Sequence, residues 1–249
     1  MTHMALKFSL ATEQAKLRGI EGWLGYRPNI YTFSLPSGHS CPFALDCLSK
    51  ADKVTGKITD GRETLYRCFS ATTEAYSRVT RDQRWHNFDI LRHLDFDGMV
   101  QALQESLPIK CDIVRVHVGG DFFNQRYFDA WLEVARLRPS TTFYAYTKSL
   151  PYWVARLGNI PSNFVLTASR GGRMDNLIDE LSLKVAEVVF SLDEADEKAL
   201  PIDHNEYHAI NNAGNFALLI HGTQPKGSAA AQSMRELKAQ GVEFAYSRK

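Results

Sequence analysis

The sequence predicts an α/β fold built on a mainly parallel sheet, and three observations lead to it. Six short apolar runs of strand character recur along the chain. Longer stretches with apolar residues at every third and fourth position lie between them, and two of the strand-like runs carry polar residues on one face. Strands that alternate with helices imply right-handed crossovers between parallel neighbours. Parallel strands are buried on both faces, so the polar side chains suit a partial barrel that encloses a site, although the pattern alone does not decide closure.

The elements follow in order. Residues 1–28 read as a mildly helical, glycine-punctuated lead-in. The expected strands are Ile30–Leu35, Ile113–Val118, Thr142–Thr147, Phe164–Ala168, Ala186–Ser191 and Phe216–Ile220. In the second, Val114, Val116 and Val118 share a face suited to packing on helices, whereas Arg115, His117, Gly119 and Asp121 share the other. The third repeats this scheme with Tyr144, Tyr146 and Lys148. A helix is expected over Asn124–Arg138: Asn124 can cap it, Phe128, Trp131, Leu132 and Ala135 form one face, and Arg136 and Arg138 suit its end before Pro139. Ser228 can cap a last helix carrying Ala231, Met234 and Leu237, stopped at Gly241, with a short strand Val242–Tyr246 to follow. Leu35–Arg84 shows no strong element. The chain, residues 1–249, reads as a single domain with a cysteine-containing loop region at 36–84, and a loop of that length is usually functional.

Composition narrows the function. Over 249 residues, 29 Lys+Arg against 28 Asp+Glu leave a formal net charge of +1, which gives no excess for nucleic-acid backbones or membrane surfaces. With 44% hydrophobic and 23% charged residues the chain is expected to fold rather than stay disordered. Its longest apolar runs, such as Phe216–Ile220, fall far short of the roughly 20 residues that cross a bilayer. No charged segment leading into an apolar one marks a secretory signal, so a cytoplasmic address is expected, and four cysteines in a reducing compartment are thiols or ligands rather than a disulfide frame.

Cys41, Cys47 and Cys68 all follow the first strand and so belong at the carboxyl end of the sheet, where sites in parallel α/β folds are built. Cys111 precedes its strand and belongs at the opposite end. Three thiolates at one end suit a metal or an iron–sulfur cluster with one open position. Zinc with His39 as a fourth ligand is an alternative, and so is a set of buried, unligated thiols. Val118-Gly119-Gly120-Asp121, at the end of the second strand, offers close backbone approach and a carboxylate for an ammonium group, although it is also an ordinary strand-to-helix turn. Thr167-Ala168-Ser169-Arg170-Gly171-Gly172-Arg173 either places hydroxyls and Arg170 where a ribose or carboxylate could bind or is a polar loop with a surface arginine. His221-Gly222-Thr223-Gln224-Pro225-Lys226-Gly227-Ser228 offers a possible anion nest, and Arg81–Asn87 either a base-stacking segment or the start of a helix.

In this order of parts, a first strand leading to three cysteines and a second ending in Gly-Gly-acid, the chain resembles the radical S-adenosylmethionine enzymes. That resemblance implies a partial (β/α)6, TIM-like barrel. It also implies a [4Fe–4S] cluster on Cys41, Cys47 and Cys68, and S-adenosylmethionine held at the open iron. Gly119, Gly120 and Asp121 would then lie at its amino group, with Ser169 and Arg170 as further polar contacts. An electron donor would be a partner, and the interior His117, Tyr146 and Lys148 would position substrate or move protons. The spacing of five and then twenty residues between cysteines differs from the usual CxxxCxxC, and Asp121 stands where that family has Glu. From Phe33-Ser34-Leu35-Pro36-Ser37-Gly38-His39-Ser40-Cys41-Pro42 to His221-Gly222-Thr223-Gln224-Pro225 the chain also resembles the gene product 88 family of phages and bacteria, which implies no activity. The competing expectations are a zinc-stabilised nucleic-acid-binding module, which the charge balance disfavours, and a structural iron–sulfur protein without catalysis.

Overall fold

Parallel strands in chain order frame the computed structural model, which describes residues 5–11 and 15–242. The strands are β1 (Ser9–Leu10), β2 (Ile30–Phe33), β3 (Ser49–Ala51), β4 (Ile58–Asp60), β5 (Ile113–Val116), β6 (Thr142–Thr147), β7 (Phe164–Ser169), β8 (Val185–Val189) and β9 (Phe216–Leu219). Among the described residues the main sheet has seven strands in the order β1-β2-β5-β6-β7-β8-β9, and β3 with β4 form a separate hairpin. Within the main sheet, among the described residues, only β1 runs antiparallel to its neighbour; the others are parallel in register, such as Arg115 beside Tyr144. No pairing between β1 and β9 closes a barrel among the described residues. The outer edge of β9 is covered at Ala217, whose N–H donates to the Pro201 carbonyl at 2.8 Å while its carbonyl accepts from Asp203 at 3.0 Å. Such cover protects an exposed strand edge from foreign pairing.

Each expected strand forms, and Thr142–Thr147 keeps its predicted limits. The second stops at Val116 because His117 adopts a left-handed backbone with φ of 69°, which breaks the alternation of faces. Val118, expected among the helices, therefore lines a cavity instead. The lead-in contains α1 (Ala15–Leu24) as well as β1. The strand expected at Val242–Tyr246 lies outside the described residues except for Val242, which is in no strand.

Residues 35–84 are more ordered than the sequence suggests. They hold the β3–β4 hairpin, α2 (Phe69–Tyr76) and the first half of α3 (Arg78–Leu91). The buried face of α3 is Arg81, Arg84, Asn87 and Leu91, a helical spacing carried almost wholly by polar residues, so apolar periodicity could not reveal it.

The two faces of the sheet bury different partners. Val114, Val116, Phe143, Ala145 and Leu166 pack with Met99 and Leu103 of α4 (Phe96–Ser106) and with Phe128 and Trp131 of α5 (Gln125–Leu137). On the other face Ile113, Tyr144, Ala186 and Phe216 meet Leu17 and Ile20 of α1 and Ala209 and Ile210 of α9 (Tyr207–Asn211). The helix after the second strand is capped as expected, Asn124 Oδ1 accepting from the Tyr127 N–H at 2.8 Å. Likewise Ser228 Oγ accepts from Ala231 N–H at 3.1 Å and opens α10 (Ala229–Ala239). No helix among the described residues is long and apolar enough to cross a membrane.

Replacing Asn124 with Ala is expected to lower stability by about 1 kcal/mol, and Trp131→Ala, which opens a hole at a fully buried position, by about 3–5 kcal/mol. Urea unfolding of the two variants checks this order.

Candidate functional site

The arm of residues 35–84 lies across the carboxyl ends of the parallel strands and closes one side of a cavity. Cys41, Cys47 and Cys68 all line it, together with Arg115, His117, Tyr146, Lys148 and Ser169 from the strands. Thiols far apart in sequence thus face side chains of the polar sheet face.

A buried ion pair holds the arm. Glu74 of α2 is fully buried, and its Oε1 accepts from Arg84 Nη1 at 2.6 Å, the Ser37 N–H at 2.9 Å and the Ser37 hydroxyl at 2.8 Å. Arg84 also donates to the Ser70 carbonyl at 3.0 Å. Arg81 ties in the hairpin by donating to the carbonyls of Glu74, Lys53 and Val54. The middle of the arm is fixed where Gly171 O accepts from the Leu45 and Asp46 amides at 3.3 and 3.0 Å. Its far end is clamped by Gln224, which accepts from the Arg67 N–H at 2.7 Å and donates to the Arg67 carbonyl at 3.1 Å, one residue before Cys68. The segment expected as an anion nest thus takes part in fastening a cysteine.

The thiols are half-buried in the cavity wall. Burial pushes all three up, Cys68 to about 11, where the backbone amides of Ala71 and Ser70 pull the other way. After burial, Asp121 and the other two cysteines raise Cys41 further. No three or more His, Cys, Asp or Glu side chains among the described residues converge closely enough to hold a metal ion. A single zinc ion, with metal–sulfur bonds of about 2.3 Å, needs its thiolates nearly touching. A cluster spreads its ligands over several irons and so over a wider space. His39 does not line the cavity: its Nε2 lies 3.0 Å from the Ala51 carbonyl and its ring packs on Trp85 at 4.8 Å. It therefore does not complete a tetrahedral zinc set with the thiols. Cys111 sits apart, donating to the Ile113 carbonyl at 3.6 Å, and burial pushes it up to about 12.

The strand tips carry most of the remaining expected residues. Asp121 lines the cavity, but Oδ1 accepts from the Phe122 N–H at 2.8 Å and the Thr147 hydroxyl at 2.6 Å, and Oδ2 from the Lys148 N–H at 2.8 Å. Burial raises its carboxyl and these bonds oppose the rise. Lys148 Nζ donates to the Ser169 carbonyl and hydroxyl at 2.8 and 3.0 Å and to the Arg170 carbonyl at 2.5 Å. The Arg170 side chain is outside the cavity lining and pairs with Asp179 at 2.8 Å and Glu187 at 3.5 Å. Gly119 and Gly120 line the cavity, yet what they admit is the protein itself. A Cβ on Gly119 would stand 2.2 Å from Ser70 Oγ, and Gly120, at φ of 84°, closes on Leu35 and Ser40.

His117 is buried with Nε2 3.0 Å from the Tyr127 hydroxyl, and burial lowers its pKa to about 3, so it is neutral at ordinary pH. Below it, Arg115 pairs with Glu206 at 3.0 Å, Tyr146 donates to the same carboxylate at 2.8 Å, and the guanidinium lies 5.2 Å from the Tyr146 ring centre. Burial, followed by the charge of Glu206, raises Tyr146 well above the usual phenol value, so it keeps its proton. Glu206, fully buried with φ of 62°, anchors two cavity-lining side chains and was not marked in the sequence, since a lone acid in a loop gives no signal.

Residues 4–240 match the family described as Gene product 88. The chain belongs to the gene product 88 family. It is 30% identical over 128 residues to the Gene 88 protein of Mycobacterium phage L5 and 29% identical over 128 residues to that of Mycobacterium phage D29. Each match covers 47% of this chain and 47% of the relative, so the chain spans about half the length of the curated relatives it matches. No solved structure matches this gene product 88 chain.

Removing Glu74 would leave Arg84 charged and unpaired in the interior, so Glu74→Ala is expected to destabilise by about 3–5 kcal/mol in urea unfolding. His117 has its folded pKa, about 3, below its ordinary 6.5. The unfolded chain therefore binds the extra proton as pH falls below 6.5, and folding stability drops with a slope of up to about 1.4 kcal/mol per pH unit. In His117→Gln that part of the acid sensitivity between pH 6.5 and 4 disappears; an unchanged slope would show that the imidazole is not buried in its neutral form.

Proposed function

We propose that the chain is an iron–sulfur enzyme of the radical S-adenosylmethionine type that acts on a small substrate and takes its electron from a separate donor protein. The observation that carries this reading is the meeting of Cys41, Cys47 and Cys68 on one cavity over the carboxyl ends of a parallel sheet. Strand order supports the partial (β/α)6 architecture that goes with it. A doubly wound sheet reverses its order part-way, whereas here each parallel strand lies beside the one before it. Side chains from β5 to β9 line a single cavity, which favours a sheet curved around it over a flat one.

The donor set suits a cluster. Three soft thiols, and no fourth beside them among the described residues, leave one iron without a protein ligand. A [4Fe–4S] cluster bound there supplies a single electron and an open coordination position for S-adenosylmethionine. The protein's part is to place and shield. Asp121 Oδ2 retains acceptor capacity beside its bond to Lys148 N–H and is suited to the cofactor's amino group. Lys148 braces the Ser169–Arg170 loop. Tyr146 holds its proton on the Glu206 carboxylate, and His117 stays neutral, so both can hydrogen-bond a substrate without adding charge. Because the thiols, with their raised pKa values, are protonated when free, loading releases protons.

The test is iron and sulfide analysis of anaerobically prepared protein, followed by addition of S-adenosylmethionine and a chemical reductant. About four irons and four sulfides per chain and release of 5′-deoxyadenosine are expected. Cys41→Ala, Cys47→Ala or Cys68→Ala abolishes both, while Cys111→Ala leaves both intact. Zinc in place of iron, or a stable cluster with no deoxyadenosine, overturns the reading in favour of a structural metal.

A further inference from the structure

We propose that the substrate end of this cavity takes an uncharged molecule with an apolar body, gripped by hydrogen bonds to His117 Nδ1 and Ser70 Oγ. The proposal rests on the function above only in using the same cavity, since the contacts it names need no metal.

The cavity's charged groups are matched within the protein. Arg67 meets Asp60 through Nε and Nη2, at 3.1 and 2.5 Å. Arg115 meets Glu206 and lies against the Tyr146 ring. Lys148 directs its ammonium at three acceptors, the full donor capacity of a lysine. Asp121 is bonded by three donors. An anionic substrate would have to displace one of the acceptors that already hold these cations, and the carboxylate without a cation bonded to it, Asp121, is the group assigned above to the cofactor's amino group.

Two polar atoms are different. His117 and Ser70 are 4% and 1% exposed, both line the cavity, and neither Nδ1 of the one nor Oγ of the other has a hydrogen-bond partner among the described residues. A buried polar atom without a partner is unfavourable, so such a pair in a cavity wall calls for a ligand that completes it. The Tyr127 hydroxyl occupies Nε2, which leaves Nδ1 as the one ring nitrogen for a ligand. A left-handed φ of 69° at a residue with a side chain is strained backbone of the kind retained at functional sites. The depressed pKa of His117 supports the same conclusion, because a neutral imidazole draws hydroxyl, carbonyl or amide groups and not anions. Much of the remaining lining is an apolar wall: Phe69, Val188, Leu218 and Ile220 offer no hydrogen bonds from their side chains. The polar pair and this wall together describe a ligand with a hydrocarbon or aromatic side and one uncharged polar group.

The experiment uses the 249-residue chain labelled with nitrogen-15 at histidine, titrated with phenol, toluene and benzoate and read by the ring nitrogen shifts of His117. Phenol is expected to shift Nδ1 and to bind about tenfold more tightly than toluene, the difference that one hydrogen bond makes, and benzoate to bind more weakly than phenol. His117→Leu removes the advantage of phenol over toluene, and Ser70→Ala reduces it. Tyr127→Phe changes the tautomer signal of His117 while leaving the apolar wall in place. Should His117→Leu fail to fold, the Nδ1 shift in the unsubstituted chain and the Ser70→Ala titration decide. Benzoate binding as tightly as phenol, or phenol binding without a shift at Nδ1, overturns the proposal. Titrations run before and after iron loading keep its failure distinct from that of the cluster, since a chain that assembles no cluster can still discriminate the three probes.

Discussion

The Glu74–Arg84 pair is the interaction on which the cavity depends. Neither partner is accessible to water, and the desolvation of two charges is tolerable only because they meet closely and take further bonds from Ser37 and to Ser70. Those added partners matter as much as the pair itself. Ser37 lies four residues before Cys41 and Ser70 two after Cys68, so one buried charge contact sets the entry and exit of the whole cysteine arm. An apolar replacement of similar volume could hold α2 against α3 but could not fix Ser37 by its amide and hydroxyl.

How much of this was legible in the sequence depended on whether apolar residues carried the signal. β5 and β6 were readable because Val114, Val116, Phe143 and Ala145 alternate with polar side chains, and the capped helix after Asn124 was readable because its buried stripe is hydrophobic. The arm was not readable, because α3 buries Arg81, Arg84 and Asn87 and presents a polar stripe that resembles a solvated face. The cysteines could be assigned to one end of the sheet by their position relative to the strands, and Cys111 to the other, by topology alone.

Within the site, residue types were easier to read than roles. His117, Tyr146, Lys148 and Ser169 do share the cavity with the thiols, yet Arg170 turns to Asp179 and Glu187, and His39 turns to Ala51. The Gly119-Gly120 pair suggests room for a ligand, whereas the space it leaves is filled by Ser70, Arg84, Leu35 and Ser40. Glu206 lies 91 residues beyond the Arg115 it neutralises, a separation across which no local pattern can act.

The Gln224 clamp bears on the order in which the molecule is assembled. Its partner Arg67 is 157 positions earlier in the chain, so the contact closes only after β9 has been made and the turn beyond it laid against the arm. During synthesis the segment around Cys68 lacks this clamp until then. Any inorganic guest that needs all three sulfurs in their final places would be received by a chain that already holds every parallel strand from β2 to β9.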